Sequence, residues 1–197
     1  MNARRRTDDG RAWTTYLAIA ALTLVLAACG PSADEEAARG RELARGGDAA
    51  GAAEAFTRAL ARRDDDALHL ELARALAQAA RPQDALREYQ LLLRHRPDDG
   101  ALWLEFGRFS EGSQHDLRGA EEAYRRATEL VPGHAEARLF HGLVLVRLAD
   151  YEGAKAELQA ALSLDDGKAA WRTTASNAIV EAHLLQRDAE KSAPGAR

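Results

Sequence analysis

Small residues recur along this chain at a spacing that no single helix or strand requires. Gly40, Ala73, Gly107 and Gly142 are separated by 33, 34 and 35 residues. A second series, Ala52, Ala85, Ala120 and Ala154, runs in phase with it at 33, 35 and 34. Four residues after each alanine stands a large apolar side chain: Phe56, Tyr89, Tyr124 and Leu158. Seven residues after come Ala59, Leu92, Ala127 and Ala161, and twelve after come Asp64, Pro97, Pro132 and Asp166. A self-similar period of this length marks a repeat architecture, in which one unit cannot bury its apolar face alone and stacked neighbours share a core. Composition chooses the element. The chain is 46% hydrophobic but only 6% aromatic, and after the first thirty residues Ala, Leu, Arg, Glu and Asp dominate. Those residues favour helix, because most of them lose little side-chain freedom there.

The in-phase pattern resembles the tetratricopeptide repeat, a helix–turn–helix unit of about 34 residues. That family places a small residue on the first helix, two small residues flanking a bulky one on the second, and a proline after it. Small residues let the paired helices approach, and proline ends the second helix. The third period is the fullest match, with Trp103, Phe106, Gly107, Ala120, Tyr124, Ala127 and Pro132; the fourth has Gly142, Tyr151, Ala154, Leu158, Ala161 and Leu164. The resemblance implies an all-α, right-handed superhelix of four repeats, at 33–65, 66–99, 100–134 and 135–167. A capping helix is expected over 168–188, with Trp171, Ala175, Ala178, Ile179, Ala182 and Leu185 on its packed side and a disordered tail at 189–197.

Three departures from the pattern carry expectations of their own. Glu36 and Arg39 stand in the first repeat where bulky residues are usual, so its first helix is expected to be frayed or short. The third repeat has one extra residue in its turn, around Glu111 to His115. The first and fourth repeats end on Asp rather than proline.

The N-terminus reads as a targeting segment rather than part of the fold. Arg4, Arg5, Arg6 and Arg11 form a basic head, and residues 12–28 carry no charge and end in small residues. Those are the parts of a secretory signal. Seventeen uncharged, mostly apolar residues also reach the bottom of the spanning range of about 17–25, so a retained transmembrane helix stays open beside plain secretion. Leu26-Ala27-Ala28-Cys29 resembles the bacterial lipobox, which implies a leader at 1–28 that is cleaved, lipid on Cys29 and a short tether at 29–32. Cys29 is the only cysteine, so no internal disulfide forms. Several acyl chains at about 0.8 kcal/mol per buried CH₂ give stable attachment. Gly30 rather than Asp after the cysteine resembles cargo of the outer membrane. Losing residues 1–28 takes the formal charge from −4 to −6, and the tether holds the repeats within about 20 Å of the bilayer.

No catalytic constellation is found, and neither an enzyme nor a cofactor is expected. The six histidines are scattered, and His134 and His141, seven apart, lack a third ligand. Asp64-Asp65-Asp66, Asp98-Asp99-Gly100 and Asp165-Asp166-Gly167 lack the ligand spacing of a calcium loop and fall at repeat junctions, where Asp caps helices. A net charge of −4 gives no reason to expect nucleic acid.

What remains is the groove that the resemblance implies along the first helices. Its positions fall on Leu70, Leu104, Leu139 and Leu143 and on Arg41, Arg74, Arg108 and Arg147. An apolar stripe beside a ladder of arginines suits a protein or peptide partner with acidic and aliphatic side chains, since guanidinium grips carboxylate bidentately. The expected function is therefore a lipid-anchored scaffold for protein–protein interaction in an envelope complex, with no small-molecule substrate. A carrier for an unfolded exported client, such as an apocytochrome, is the alternative; an enzyme or metal-binding protein is the alternative of another class.

Overall fold

The computed structural model describes residues 30–164 and 169–192. The expected leader, Cys29, the Asp165–Gly167 junction and residues 193–197 lie outside the described residues. Nine α-helices occur among the described residues, and no strand. They are α1 (Ala33–Arg45), α2 (Ala49–Leu60), α3 (Asp66–Gln78), α4 (Pro82–His95) and α5 (Gly100–Gly112), followed by α6 (Leu117–Leu130), α7 (Ala135–Arg147), α8 (Tyr151–Ser163) and α9 (Ala169–Ser192). The first eight alternate as the first and second helices of the four sequence periods, and α9 follows them. None of the described helices is long and apolar enough to cross a membrane. The chain divides into two compact units, Met1–Leu68 and His69–Arg197.

In the N-terminal unit, α1 is complete, contrary to the expectation of a frayed helix. Ser32 and Glu35 form a capping box: the Glu35 N–H donates to Ser32 Oγ at 3.2 Å, and the Ser32 N–H donates to Glu35 Oε2 at 2.6 Å. Two of the orphan donors at the helix start are thereby satisfied. Glu36, where a bulky residue was expected, is only 3% exposed. Its carboxylate accepts from Arg58 Nε on α2 at 3.0 Å, so an ion pair fills the place of an apolar contact. Gly40 lies against Phe56, and a Cβ there would stand 2.7 Å from the ring.

The same small-against-bulky device repeats in the C-terminal unit. A Cβ on Gly107 would come within 2.4 Å of the Tyr124 ring, and one on Gly142 within 2.6 Å of Leu158. Tyr124, Leu158, Ala120, Ala154, Ala127 and Ala161 are all at or near zero exposure. One apolar cluster joins Leu104, Tyr124 and Ala127 to Ala137 and Val144 of the following helix. A second joins Leu139, Leu158 and Ala161 to Ala175 and Ala178 of α9. The first cluster spans the third and fourth periods and the second joins the fourth period to the capping helix, so neither core is closed within one period.

The turns obey one rule. The residue before the N-cap of each second helix has positive φ: Gly47 at 83°, Ala80 at 55°, His115 at 54° and Ala149 at 63°. In three of the four, the next residue is an aspartate, and Asp48, Asp116 and Asp150 accept from the N–H groups of Gly51, Gly119 and Gly153 at 2.9–3.0 Å. The extra residue of the third repeat is absorbed in Ser113 to His115. Gln114 there donates from Nε2 to the Pro82 carbonyl at 2.9 Å. The junction aspartates act as caps where they are described: Asp65 accepts from the Ala67 N–H at 2.8 Å and Asp99 from that of Leu102 at 3.0 Å. Helices α4 and α6 stop before Pro97 and Pro132, because the residue ahead of proline is pushed out of helical geometry; Arg96 has ψ 66° and Val131 ψ 78°.

Two expectations about the cap need correction. The helix continues through residues 189–192, which were assigned to the tail. Leu185 is 40% exposed and lies off the packed face, which is built from Ala175, Ala178 and Ala182 with Trp171 and Ile179 half-buried. The helix docks through alanines because small side chains bring it close to α7 and α8, and Leu185 lies to the side of that close contact.

The packing yields a test. Alanine at Gly107 gains roughly 1 kcal/mol of helix propensity but drives a methyl into a buried ring whose hydroxyl is pinned, an overpacking cost of about 1–3 kcal/mol. Gly107→Ala should therefore unfold at lower urea than wild type, and a midpoint at or above the wild-type value would show that Tyr124 yields freely.

Candidate functional site

The first helices carry the candidate face. Leu70 and Arg74 lie on α3, Leu104 and Arg108 on α5, and Leu139, Leu143 and Arg147 on α7. Arg41 lies on α1 in the N-terminal unit, with its side chain exposed. The leucines do not make an exposed stripe. Leu104 and Leu139 are 7% and 5% exposed and belong to the two apolar clusters, while Leu70 and Leu143 are half-buried. The period that places a leucine on every first helix serves packing between repeats.

Arg74, Arg108 and Arg147 do face outward, with side chains about half exposed, but each of these three is held by a glutamate on a neighbouring first helix. Arg74 makes a bidentate pair with Glu105, from Nε at 2.6 Å and Nη2 at 2.5 Å. Arg108 pairs through Nη2 with Glu136, and its guanidinium lies 4.4 Å from the centroid of the Phe140 ring. Arg147 pairs through Nη1 with Glu111. These struts run α3 to α5, α5 to α7 and α7 back to α5, so the face is a row of matched charges rather than a basic ladder. Solvent screening limits each to about 0–1 kcal/mol, and the fork geometry of Arg74 places it at the upper end.

Glu105, Glu136, Glu111 and Phe140 were not among the sequence candidates. No common register marks these partners, since Glu105 follows Arg74 by 31 residues and Glu136 follows Arg108 by 28. Two of the struts reach into the core. Tyr89 donates its hydroxyl to Glu105 at 3.0 Å, and Tyr124 donates to Glu111 at 3.1 Å. The Tyr124 ring that fills the space beside Gly107 thus also fixes the carboxylate that holds Arg147.

The phenols record this environment. Burial raises the pKa of both Tyr89 and Tyr124 far above the usual value near 10, and the charges of Glu105 and Glu111 add to the effect. Arg74 is raised too, first by its hydrogen bond to Glu105.

The histidines are dispersed in space as in sequence. His134 is the N-cap of α7, its Nδ1 accepting from the Ala137 N–H at 3.1 Å, and His141 is buried at 6% exposure. No group of three His, Cys, Asp or Glu among the described residues is placed to hold a metal ion. His115 is exposed in its turn, and Asp116 beside it is occupied as a cap.

A raised phenol pKa means the folded state keeps protons that the unfolded chain releases. The stability contributed by neutral Tyr89 and Tyr124 is whole below about pH 10 and declines as the pH rises above it. In an alkaline titration followed by tyrosinate absorbance, these two rings should ionise only as the helices unfold. Replacing both by Phe should remove that late step, and an early titration of both in folded protein would contradict the burial.

The sequence matches no protein-family model, and no curated protein shows significant similarity to it. Solved structures do resemble the fold. A crystal structure of MamA superposes with a TM-score of 0.59 at 19% identity, covering 77% of this chain and 96% of that one. A tetratricopeptide repeat protein from Parabacteroides merdae gives a TM-score of 0.69 at 19% identity, with 82% of this chain spanning 64% of that one. A thermophilic TPR protein of Thermus thermophilus gives 0.55 at 22% identity, covering 83% of this chain and 93% of that one. At such identities the likeness concerns fold alone, and with the helix order described above it establishes that this chain has the tetratricopeptide-repeat fold.

Proposed function

We propose that this chain is an exported, non-enzymatic scaffold, tethered by lipid on Cys29, that holds a protein partner against its first helices in an envelope complex. The observation that carries the binding part is the row Arg74, Arg108 and Arg147. Each guanidinium is held by a carboxylate while its side chain stays about half exposed. Prepositioned arginines lose less side-chain freedom on binding than mobile ones, and they offer acidic side chains of a partner a charge-assisted hydrogen bond. The paired glutamates keep the face close to neutral, which selects against a uniformly anionic polymer and favours a partner with a few well-placed carboxylates. With Leu104 and Leu139 in the core, aliphatic contacts are limited to Leu70, Leu143 and the exposed edges of the aromatic residues.

The anchoring part rests on the Leu26 to Cys29 motif together with the position of the first cap. Helix α1 begins at Ala33 with Ser32 as its cap, so four Cα steps separate Cys29 from the fold. At about 3.5 Å per residue the span is roughly 14 Å, which keeps the N-terminal unit at the membrane surface.

Two experiments test the proposal. Crosslinking and pull-down from membranes should recover a protein partner with wild type, and the Arg74→Glu, Arg108→Glu double variant should lose it while keeping its helical circular dichroism. Undiminished recovery with the double variant would sink the role of this face. Cys29→Ala should abolish acyl labelling and release the exported chain from the membrane fraction; wild type found soluble after export would contradict the anchor.

A further inference from the structure

The terminal helix has a side that the repeats do not use. Helix α9 docks through Ala175, Ala178 and Ala182, and its opposite side carries Val180 and Leu184 at 59% and 45% exposure, with Leu185 at 40% on the flank. Asn177, Val180, Glu181, Leu184 and Leu185 line an open groove there. Exposed side chains follow one another along this side at alternating steps of four and three residues: Thr173, Asn177, Val180, Leu184, Arg187 and Lys191. That is the spacing of a coiled-coil seam, the narrow stripe along which one helix packs on another. The seam is apolar only at its centre. Its first end is neutral, with Thr173 and Asn177, and its last end is cationic, with Arg187 and Lys191. Glu181, exposed beside the centre, forms no ion pair among the described residues, and neither does Arg187.

We propose that this seam receives a second copy of the chain: two α9 helices pack antiparallel about a twofold axis level with Ala182. A twofold contact is reciprocal, so each pairing occurs twice. Val180 meets the second copy's Leu184, Asn177 meets its Arg187, and Thr173 meets its Lys191. Glu181 then stands about one helical turn from the second copy's Arg187, within reach of that guanidinium. The parallel arrangement has no such match. It would set Arg187 on Arg187 and Lys191 on Lys191, and like charges brought together repel. The order of charges along this one helix thus makes its outer side complementary to itself in the antiparallel sense, which is what identifies the occupant. A single two-helix seam is smaller than a standard protein interface, so the dimer is weak and reversible. The inference is independent of the proposed partner and of the anchor, because the arginine row lies on α3, α5 and α7.

Disulfide crosslinking reads the register. Full-length copies carrying Thr173→Cys and Lys191→Cys, differently tagged, are expressed together and oxidised in intact cells. Mixed dimers are then measured on non-reducing gels against wild type, whose single cysteine, Cys29, sets the background. The two variants should crosslink to each other, and Thr173→Cys expressed alone should not crosslink to itself. Adding Val180→Glu with Leu184→Glu, both at exposed positions, should lower the crosslinked fraction roughly tenfold or more while the helical circular dichroism of the purified chain is unchanged. Glu181→Arg should also weaken the crosslink, and Arg187→Glu in the same chain should restore it. No mixed crosslink above background, or one that survives the two added glutamates, overturns the dimer. Self-crosslinking of Thr173→Cys overturns the antiparallel order, and an adduct with a different protein in place of the mixed dimer refutes the proposal by giving the seam to that protein.

Discussion

The close approach of paired helices, set by a glycine or alanine on one against a large side chain on the other, is the contact on which the rest of this molecule depends. At Gly107 the Tyr124 ring occupies the volume where a Cβ would stand, and Gly142 with Leu158 and Gly40 with Phe56 repeat the device. Interiors pack near crystal density, so the approach leaves no slack for an added methyl. The flanking alanines, Ala120 with Ala127 and Ala154 with Ala161, are fully buried for the same reason: any larger residue would hold the helices apart. The left-handed residue before each second helix follows from this contact too. Two helices this close need a tight reversal, and a single positive φ supplies it even on Ala80, His115 and Ala149, where it costs about 1–2 kcal/mol.

The candidate face is built outward from that contact. Tyr89 and Tyr124 pass their hydroxyls to Glu105 and Glu111, and those carboxylates hold Arg74 and Arg147. The arginines are thus aimed by core rings rather than by surface pairing alone. This gives half-exposed ion pairs a definite geometry that solvent-exposed pairs usually lack. It also makes the surface pattern a consequence of repeat stacking, since every strut joins first helices of adjacent repeats.

Much of the architecture was legible in the chain because the devices behind it are local and periodic. The 34-residue phase located the helix pairs. The prolines at 97 and 132 and the junction aspartates, Asp65 and Asp99 among them, located helix ends, because proline and Asp act on their own backbone neighbourhood. The caps Asp48, Asp116 and Asp150 emerged only in the structure. The mistaken expectations share a different cause. Glu36 looked unfit for a packed position until Arg58, twenty-two residues away, supplied its counter-charge. Leu104 and Leu139 looked like surface lining, and the neighbouring repeat buries them. Leu185 matched the helical spacing of the packed face, but the docking of α9 through its alanines leaves that side of the helix turned to solvent.

The sequence by itself determined that the chain is helical, repeated and capped, and it marked Cys29 as the candidate lipid site. Spacing and composition suffice for that, because helix periodicity, capping and termination are decided within a few residues. The tertiary structure alone decided which charges meet. Arg74 finds Glu105, Arg108 finds Glu136, and His141 comes to rest between Glu121 and Glu157. Those partners lie up to about one repeat apart along the chain, and their meeting depends on the angle at which successive helices pack. Coulomb energy at a few ångströms changes steeply with distance, so a pattern that fixes the helix but not its neighbour leaves the electrostatics of the face undetermined.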